Sequence, residues 1–266
     1  MSKPERKSGK YREISSRETA ASRLKIELPR ASKYSRRWVL SNSLGENVLY
    51  NAESLCKALG LRRGMKILDL GCGTAISSIF IAKEFKCQVW AVDKNVPVHE
   101  NFARIKAANM DHCVVPVQTD AWALPFPKSF FDIIIAVDSY MYYGEDPKFL
   151  PYVIQFLKPG GLIGVLDACF TREVTPESRP PGFLRATWRT IWRRLHSIRW
   201  WRRFWEQTGL VRIVRSETLD NSDELIRQYA EDRKDSPIEG EVARTLRKDK
   251  RHFIKLFRMI GQKKDV

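Results

Sequence analysis

The segment Leu68-Asp-Leu-Gly-Cys-Gly-Thr-Ala-Ile76 constrains this chain more than any other. A short apolar run over 65–70 enters two closely spaced glycines, and a helical pattern follows over 75–85. Strand, glycine turn, helix is how a parallel βαβ unit opens, and the turn is where such folds meet a ligand. Gly71 and Gly73 supply the freedom for a tight bend and leave bare backbone for close approach.

The alternation continues downstream. Residues 88–92, 113–117 and 131–137 read as further buried strands, with a helix over 96–108 between the first two. Pro116 gives the third strand an irregular or edge position, because proline cannot donate to a ladder. Residues 146–157 predict a helix that stops at Pro159-Gly160-Gly161, before a fifth strand over 162–166. Upstream, apolar residues over 44–59 recur at helical spacing, and Gly60 marks the stop. Residues 210–214 predict another strand; 252–260 fits helix or strand on periodicity alone. The expectation is an α/β fold with a doubly wound, mostly parallel sheet. Its 266 residues suit one domain over 31–266, preceded by a basic arm over 1–30. Prolines and Trp/Arg-rich sequence break the rhythm after the fifth strand. They predict a helical cap insertion over about 169–208, with Ser197 capping a helix to Thr208 and more cap helices over 220–250.

Three acids stand at three strand ends. Asp69 precedes the glycines, Asp93 lies 20 residues after Gly73, and Asp120 follows the third strand. An acid about 20 residues on is placed to hydrogen-bond a ribose diol. A dinucleotide site, however, wants Gly or Ala where this chain has Ile76, and Asp69 would repel a pyrophosphate. A cationic ligand tolerates that carboxylate, which points to S-adenosylmethionine, whose sulfonium and amino group are positive.

With Asp69-Leu-Gly-Cys-Gly73, Asp93, Asp120-Ala121, Phe131-Asp132 and Leu157-Lys-Pro-Gly-Gly161, residues 44–216 resemble a class I S-adenosylmethionine-dependent methyltransferase. Val137-Asp-Ser-Tyr-Met-Tyr-Tyr-Gly144 and the Trp200–Leu210 stretch are similar to bacterial small-molecule methyltransferases of the cyclopropane-fatty-acid-synthase and ubiquinone/menaquinone-biosynthesis-related group. The resemblance implies a seven-stranded Rossmann-like sheet with an antiparallel last strand, which favours strand for the tail. It also implies that Asp69, Gly71, Cys72, Gly73 and Thr74 cradle the methionine portion. Asp93 and Lys94 would hold the ribose, and Asp120 with Ala121 the adenine. Gly45 would touch the methionine end. The resemblance also implies His, in many members of that group, at the position of Met141. The residues after the fourth strand, Asp138 to Tyr143, are expected to face the methyl group, with Tyr140 and Tyr143 offering ring faces to a cation. His196 is a further candidate base.

Formal charge is +16, concentrated at the ends: residues 1–37 carry 12 Lys/Arg against four Asp/Glu, whereas 38–170 are near neutral. Seven arginines and no acids lie between Arg185 and Arg203, among Trp188, Trp192, Trp200 and Trp201. They fit a cap with Trp inward and Arg solvated, an interfacial membrane helix, or a nucleic-acid surface. The expected partner is a small-molecule acceptor methylated on N, O or S. Rival readings are an RNA methyltransferase using the basic ends, a peripheral membrane enzyme, and a binding module that keeps the pocket without catalysis. Nucleic acid is not favoured, because Asp138-Ser-Tyr-Met replaces the Asn/Asp-Pro-Pro-Tyr/Phe signature of amino-directed nucleobase enzymes. Five scattered cysteines and four histidines without ligand spacing give no expectation of disulfide or metal, and fit a cytoplasmic setting. No secretory leader or membrane-spanning run is expected.

Overall fold

In the computed structural model, described over residues 28–45, 47–175, 178–188 and 191–265, one seven-stranded sheet organises the chain. The strands are β1 (Lys66–Leu70), β2 (Gln88–Asp93), β3 (Val114–Gln118), β4 (Phe131–Val137), β5 (Leu157–Phe170), β6 (Val211–Thr218) and β7 (Ile254–Lys263). Their spatial order is β3-β2-β1-β4-β5-β7-β6, with β1 to β5 parallel and β7 antiparallel to both its neighbours. β3 is an edge strand, as Pro116 requires. The tail is the antiparallel strand β7.

Period-two alternation sends successive residues of the central strands to opposite layers. Ile67, Ile133 and Ile135 face one core, under α2 (Val48–Leu59) and α3 (Ile76–Phe85). Leu68, Leu70, Ile134 and Ala136 face the other, with Phe149, Trp201 and Trp205. Both faces are buried, so the strands read as continuous apolar runs. α1 (Arg36–Asn42) precedes α2; α4 (Val98–Ala107) crosses between β2 and β3.

Two element boundaries differ from the sequence reading. The helix expected over 146–157 contracts to α5 (Phe149–Val153) followed by a 3-10 turn over Ile154–Phe156. β5 begins at Leu157 rather than 162, because Leu157 pairs with Phe131 and a register shift absorbs Pro159 and the glycines. Gly160, at φ +67, therefore belongs to an irregular strand rather than to a helix stop.

The cap is also less helical than expected. Between β5 and β6 there is, among the described residues, one α-helix, α6 (Ile198–Glu206), with Ser197 Oγ accepting from Trp200 N at 3.3 Å. The preceding stretch shows the 3-10 turns Gly182–Leu184 and Ile191–Arg194. Trp201 and Trp205 share the buried face of α6, one turn apart. The second cap carries α7 (Ser222–Asp232) and α8 (Gly240–Leu246). The expected basic arm lies, over 1–27, outside the described residues. Leu28 is buried, and Ala31 N donates to Glu53 Oε2 at 2.7 Å.

Candidate active site

A cavity of about 690 Å³ opens at the carboxyl ends of β1, β2 and β4. Its floor is the glycine loop. Gly71 N and Cys72 N donate to Val92 O at 2.8 and 2.9 Å, which binds the bend to β2. Asp93 locks it further: one carboxylate oxygen accepts from Gly73 N at 2.9 Å, and the other from Asn95 N and Val96 N. Gly71 sits at φ +74, and a Cβ there would stand 2.6 Å from Ser139 Cβ. At Gly73, with φ +54, an added methyl would meet only Leu44, at 4.0 Å, so its bare surface faces the cavity. Only glycine satisfies both the turn and the approach.

Of the residues expected at the site, Gly71, Cys72, Gly73, Asp93, Lys94, Asp120, Ala121, Asp138 and Tyr143 line this one cavity, and Gly45 joins them. Lys94 Nζ pairs with Asp120 Oδ2 at 2.7 Å, and Trp122 N donates to Asp120 Oδ1. The Lys94 hydrogen bond, with that from Trp122, holds the Asp120 carboxyl below its usual range. Asp138 takes a left-handed φ of +53, rare for a non-glycine, and its Oδ2 lies against Gly45.

Four expected residues do not line the cavity. Asp69 is 1% exposed and lies beneath the loop, where Ser77 Oγ and Ser78 Oγ donate to its Oδ2 at 2.7 and 2.6 Å. Burial pushes its carboxyl up to about 6 against those two hydrogen bonds. Its place in the structure is the join between β1 and the first turn of α3, rather than a rim. Thr74 turns away, its hydroxyl donating to Asn42 O. Tyr140 is 1% exposed and packs edge-on against Trp201 and Trp205, because the 3-10 turn Tyr140–Tyr142 swings it into the core. His196 stacks on Trp200 at 3.6 Å between centroids, and its Nδ1 lies 2.7 Å from Glu173. Burial pulls its imidazole down, but hydrogen bonds to Glu145 and Glu173 prevail and leave it raised. The expectations that Tyr140 faces the methyl group and that His196 serves as base are corrected accordingly.

Tyr143 reaches the cavity with its ring while its hydroxyl donates to Leu70 O at 3.0 Å, beside Ser139 Oγ. Burial drives that phenol well above its ordinary value, so it stays protonated. Asp167, 2% exposed within β5, accepts from Met141 N at 3.2 Å. Burial and then the Asp138 charge raise its carboxyl far above normal.

The roof is not legible in the motifs. Leu44 and Gly45 come from the stretch after α1, Ile191, Trp192 and Leu195 from the first cap, and Tyr229, Glu239 and Val242 from the second. Glu239 ties them: Oε1 accepts from Gly45 N at 2.7 Å, and Oε2 lies 3.2 Å from Arg233 Nε. Arg233 also donates to Leu40 O and Ser43 O. Trp192 is 2% exposed, and its indole Nε1 has no hydrogen-bond partner among the described residues.

The sheet order, the glycine loop and the acids at the strand ends fit the fold of the class I S-adenosylmethionine-dependent methyltransferases that the sequence resembles. Residues 67–161 match the methyltransferase domain family. The chain is similar to phosphoethanolamine N-methyltransferase 1 of Arabidopsis thaliana, 21% identical over 180 residues, covering 68% of this chain and 35% of that protein. It is also similar to cycloartenol-C-24-methyltransferase of the same plant, 25% identical over 146 residues, covering 54% of this chain and 43% of the relative. The matches thus span less than half the length of these curated relatives. Among solved structures, geranyl diphosphate methyltransferase in complex with SAM superposes with a TM-score of 0.67 at 18% identity, covering 91% of this chain and 90% of that one. The 4+2 cyclase SpnF gives the same TM-score at 19% identity, with 82% and 83% covered. At such identities the likeness is one of fold. Among the described residues no helix is long and apolar enough to cross a membrane.

Proposed function

We propose that the chain is an enzyme that transfers the methyl group of S-adenosylmethionine to a nitrogen, oxygen or sulfur of a small-molecule acceptor. The observation that carries this reading is a single cavity, floored by bare glycine backbone and rimmed by carboxylates, that continues into an aromatic and apolar compartment. Its size falls within the usual range for small-ligand pockets.

The residues fit the cofactor chemically. Gly71 and Gly73 would lie under the methionine portion with Cys72; Asp93 would accept from the ribose hydroxyls, and Asp120 with Ala121 would flank the adenine. S-adenosylmethionine supplies an electrophilic methyl on a positive sulfur. The chain's own residues then position and shield. Asp93 and Val92 O fix the loop, so no reorganisation is needed when a ligand lands. The Tyr143 ring stabilises positive charge, while its hydroxyl is spent on Leu70 O. Leu44, Trp192 and Val242 exclude water from above. Asp69 holds the base of α3 through Ser77 and Ser78 and touches no ligand in this reading.

Isothermal titration with S-adenosylhomocysteine tests the cofactor half: folded chain that takes up none removes the reading. Release of S-adenosylhomocysteine with candidate acceptors separates an enzyme from a binding module. The arginines of α6, Arg199, Arg202 and Arg203, do not line the cavity and have no part in this proposal.

A further inference from the structure

One side chain overhangs the glycine loop, and both of its chain neighbours are tied down from the second cap. A methyl built on Gly73 would stand 4.0 Å from Leu44 Cβ and 4.0 Å from its Cδ1, which is ordinary contact distance. A single aliphatic chain laid on that glycine therefore fills the gap and touches Leu44. Gly45 follows at φ +85, and a Cβ there would run into the Asp138 carboxylate, so only glycine lets the backbone lie this close to the end of β4. Leu44 itself is 44% exposed and forms the outer lip of the cavity. Thr74, next to Gly73, reaches the same strap through its hydroxyl on Asn42 O.

The ties are a base and an acid at the facing ends of two helices. Arg233 follows the last turn of α7, and Glu239 precedes α8. Arg233 Nη2 donates to Ser43 O at 2.9 Å and to Ser43 Oγ at 2.8 Å, and its Nη1 donates to Leu40 O at 3.0 Å. Glu239 Oε1 accepts from Gly45 N at 2.7 Å and from the Tyr229 hydroxyl at 3.3 Å. Its Oε2 lies 3.2 Å from Arg233 Nε, with both side chains 12% exposed. A guanidinium fork on Ser43 and a carboxylate on Gly45 thus grip Leu44 from either side, and the attraction between them keeps the two grips in register. The cap has a firm base: Leu256 N of β7 donates to Ser222 Oγ, and Lys255 pairs with Asp223.

We propose that Arg233 and Glu239 are positioning residues that clamp Leu44 over the glycine loop, and that this clamp sets how long S-adenosylmethionine and its demethylated product stay bound. The inference rests on the methyltransferase reading and adds to it a determinant of cofactor exchange that lies outside residues 67–161. Arg233 and Glu239 are not asked to touch the reacting atoms; each acts through Leu44. Cofactor and product differ only by the transferred methyl, so both leave past the same lip. Release of the product then waits on the strap, a kind of step that limits turnover in many enzymes.

The test follows S-adenosylhomocysteine leaving the intact chain by stopped-flow tryptophan fluorescence, since Trp122 and Trp192 line the cavity. Leu44→Ala, at a side chain open to solvent, should speed dissociation about tenfold and change association far less. Arg233→Gln should do the same. The double variant should release no faster than the faster single one, because both changes undo one clamp. Glu239→Gln keeps an oxygen for Gly45 N but loses the charge facing Arg233, and it takes the place of Arg233→Gln if that variant does not fold. Release from Leu44→Ala at the wild-type rate overturns the proposal. Multiplied accelerations in the double variant overturn it as well, for Arg233 would then act on the fold at large and not through Leu44. Folded chain that takes up no S-adenosylhomocysteine overturns the methyltransferase reading itself; uptake with unaltered release from the variants overturns this inference alone.

Discussion

Replacing Asp69 by asparagine isolates the cost of an acid kept beneath the glycine loop. The wild-type carboxyl is raised by burial to about 6 from the ordinary 3.8. The folded chain thus keeps a proton over a range in which the unfolded chain has lost it. Stability is undiminished at low pH and falls as the pH climbs through the interval, the reverse of a salt-bridged aspartate. At 1.36 kcal/mol per pKa unit, the full cost is on the order of 3 kcal/mol, of which about 2 kcal/mol develops above pH 4.5. The replacement amide would keep an oxygen for Ser77 and Ser78 and has nothing to ionise. The stability of Asp69→Asn relative to wild type should therefore rise by about 2 kcal/mol between pH 4.5 and 8, read from urea unfolding at fixed ionic strength. Two curves that stay parallel across that range refute the reasoning, for they would mean that Asp69 titrates alike in both states.

Gly71→Ala forces an L residue into φ +74 and drives a methyl to 2.6 Å from Ser139 Cβ. The left-handed backbone costs about 1–2 kcal/mol, and a displaced Ser139–Leu70 bond about 1 kcal/mol more. Calorimetry should show S-adenosylhomocysteine affinity reduced more than tenfold, and near-wild-type binding contradicts the cradle. Tyr143→Phe keeps the ring and removes the hydroxyl bound to Leu70 O, so it should lose about 1 kcal/mol of stability with an unshifted pH profile of turnover. A shifted profile would make Tyr143 a proton carrier after all. His196→Gln breaks the bridge to Glu173 and should lower stability by about 1–2 kcal/mol. The loss should be largest between the lowered titration of Glu173 and the raised titration of His196, fading as the pH climbs through the latter. Affinity for S-adenosylhomocysteine should stay within twofold; a large drop would return His196 to the site.

The floor of the cavity is legible in sequence because strand, glycine pair and strand-end acid are local patterns with fixed physical meaning. Asp93 and Asp120 need only their positions at strand ends to be placed. Asp69 is misjudged because a carboxylate beside a glycine turn reads the same whether it points up to a ligand or down to Ser77 and Ser78; sheet pleat decides, and it sends Asp69 to the Ile67 side. Tyr140 is misplaced for a similar reason: one 3-10 turn directs Tyr140 inward and leaves Tyr142 exposed. Glu239 and Trp192 carry no signal, since nothing near them in sequence announces that they close over residues roughly 100 to 200 positions earlier. The alternating pattern finds the strands well but misses the bulged start of β5, where Lys158-Pro-Gly-Gly161 imitates a loop.

The methyltransferase match ends at residue 161, yet the ceiling is assembled from what lies beyond it on both sides. Leu44 and Gly45 come from one flank, and Glu239 and Val242 from the other; Arg233 staples them together through Leu40 O and Ser43 O. The matched span thus carries the glycine loop and Asp93, whereas much of the surface that closes over them lies outside it. Trimming either flank would remove part of that ceiling and open the floor to solvent on that side.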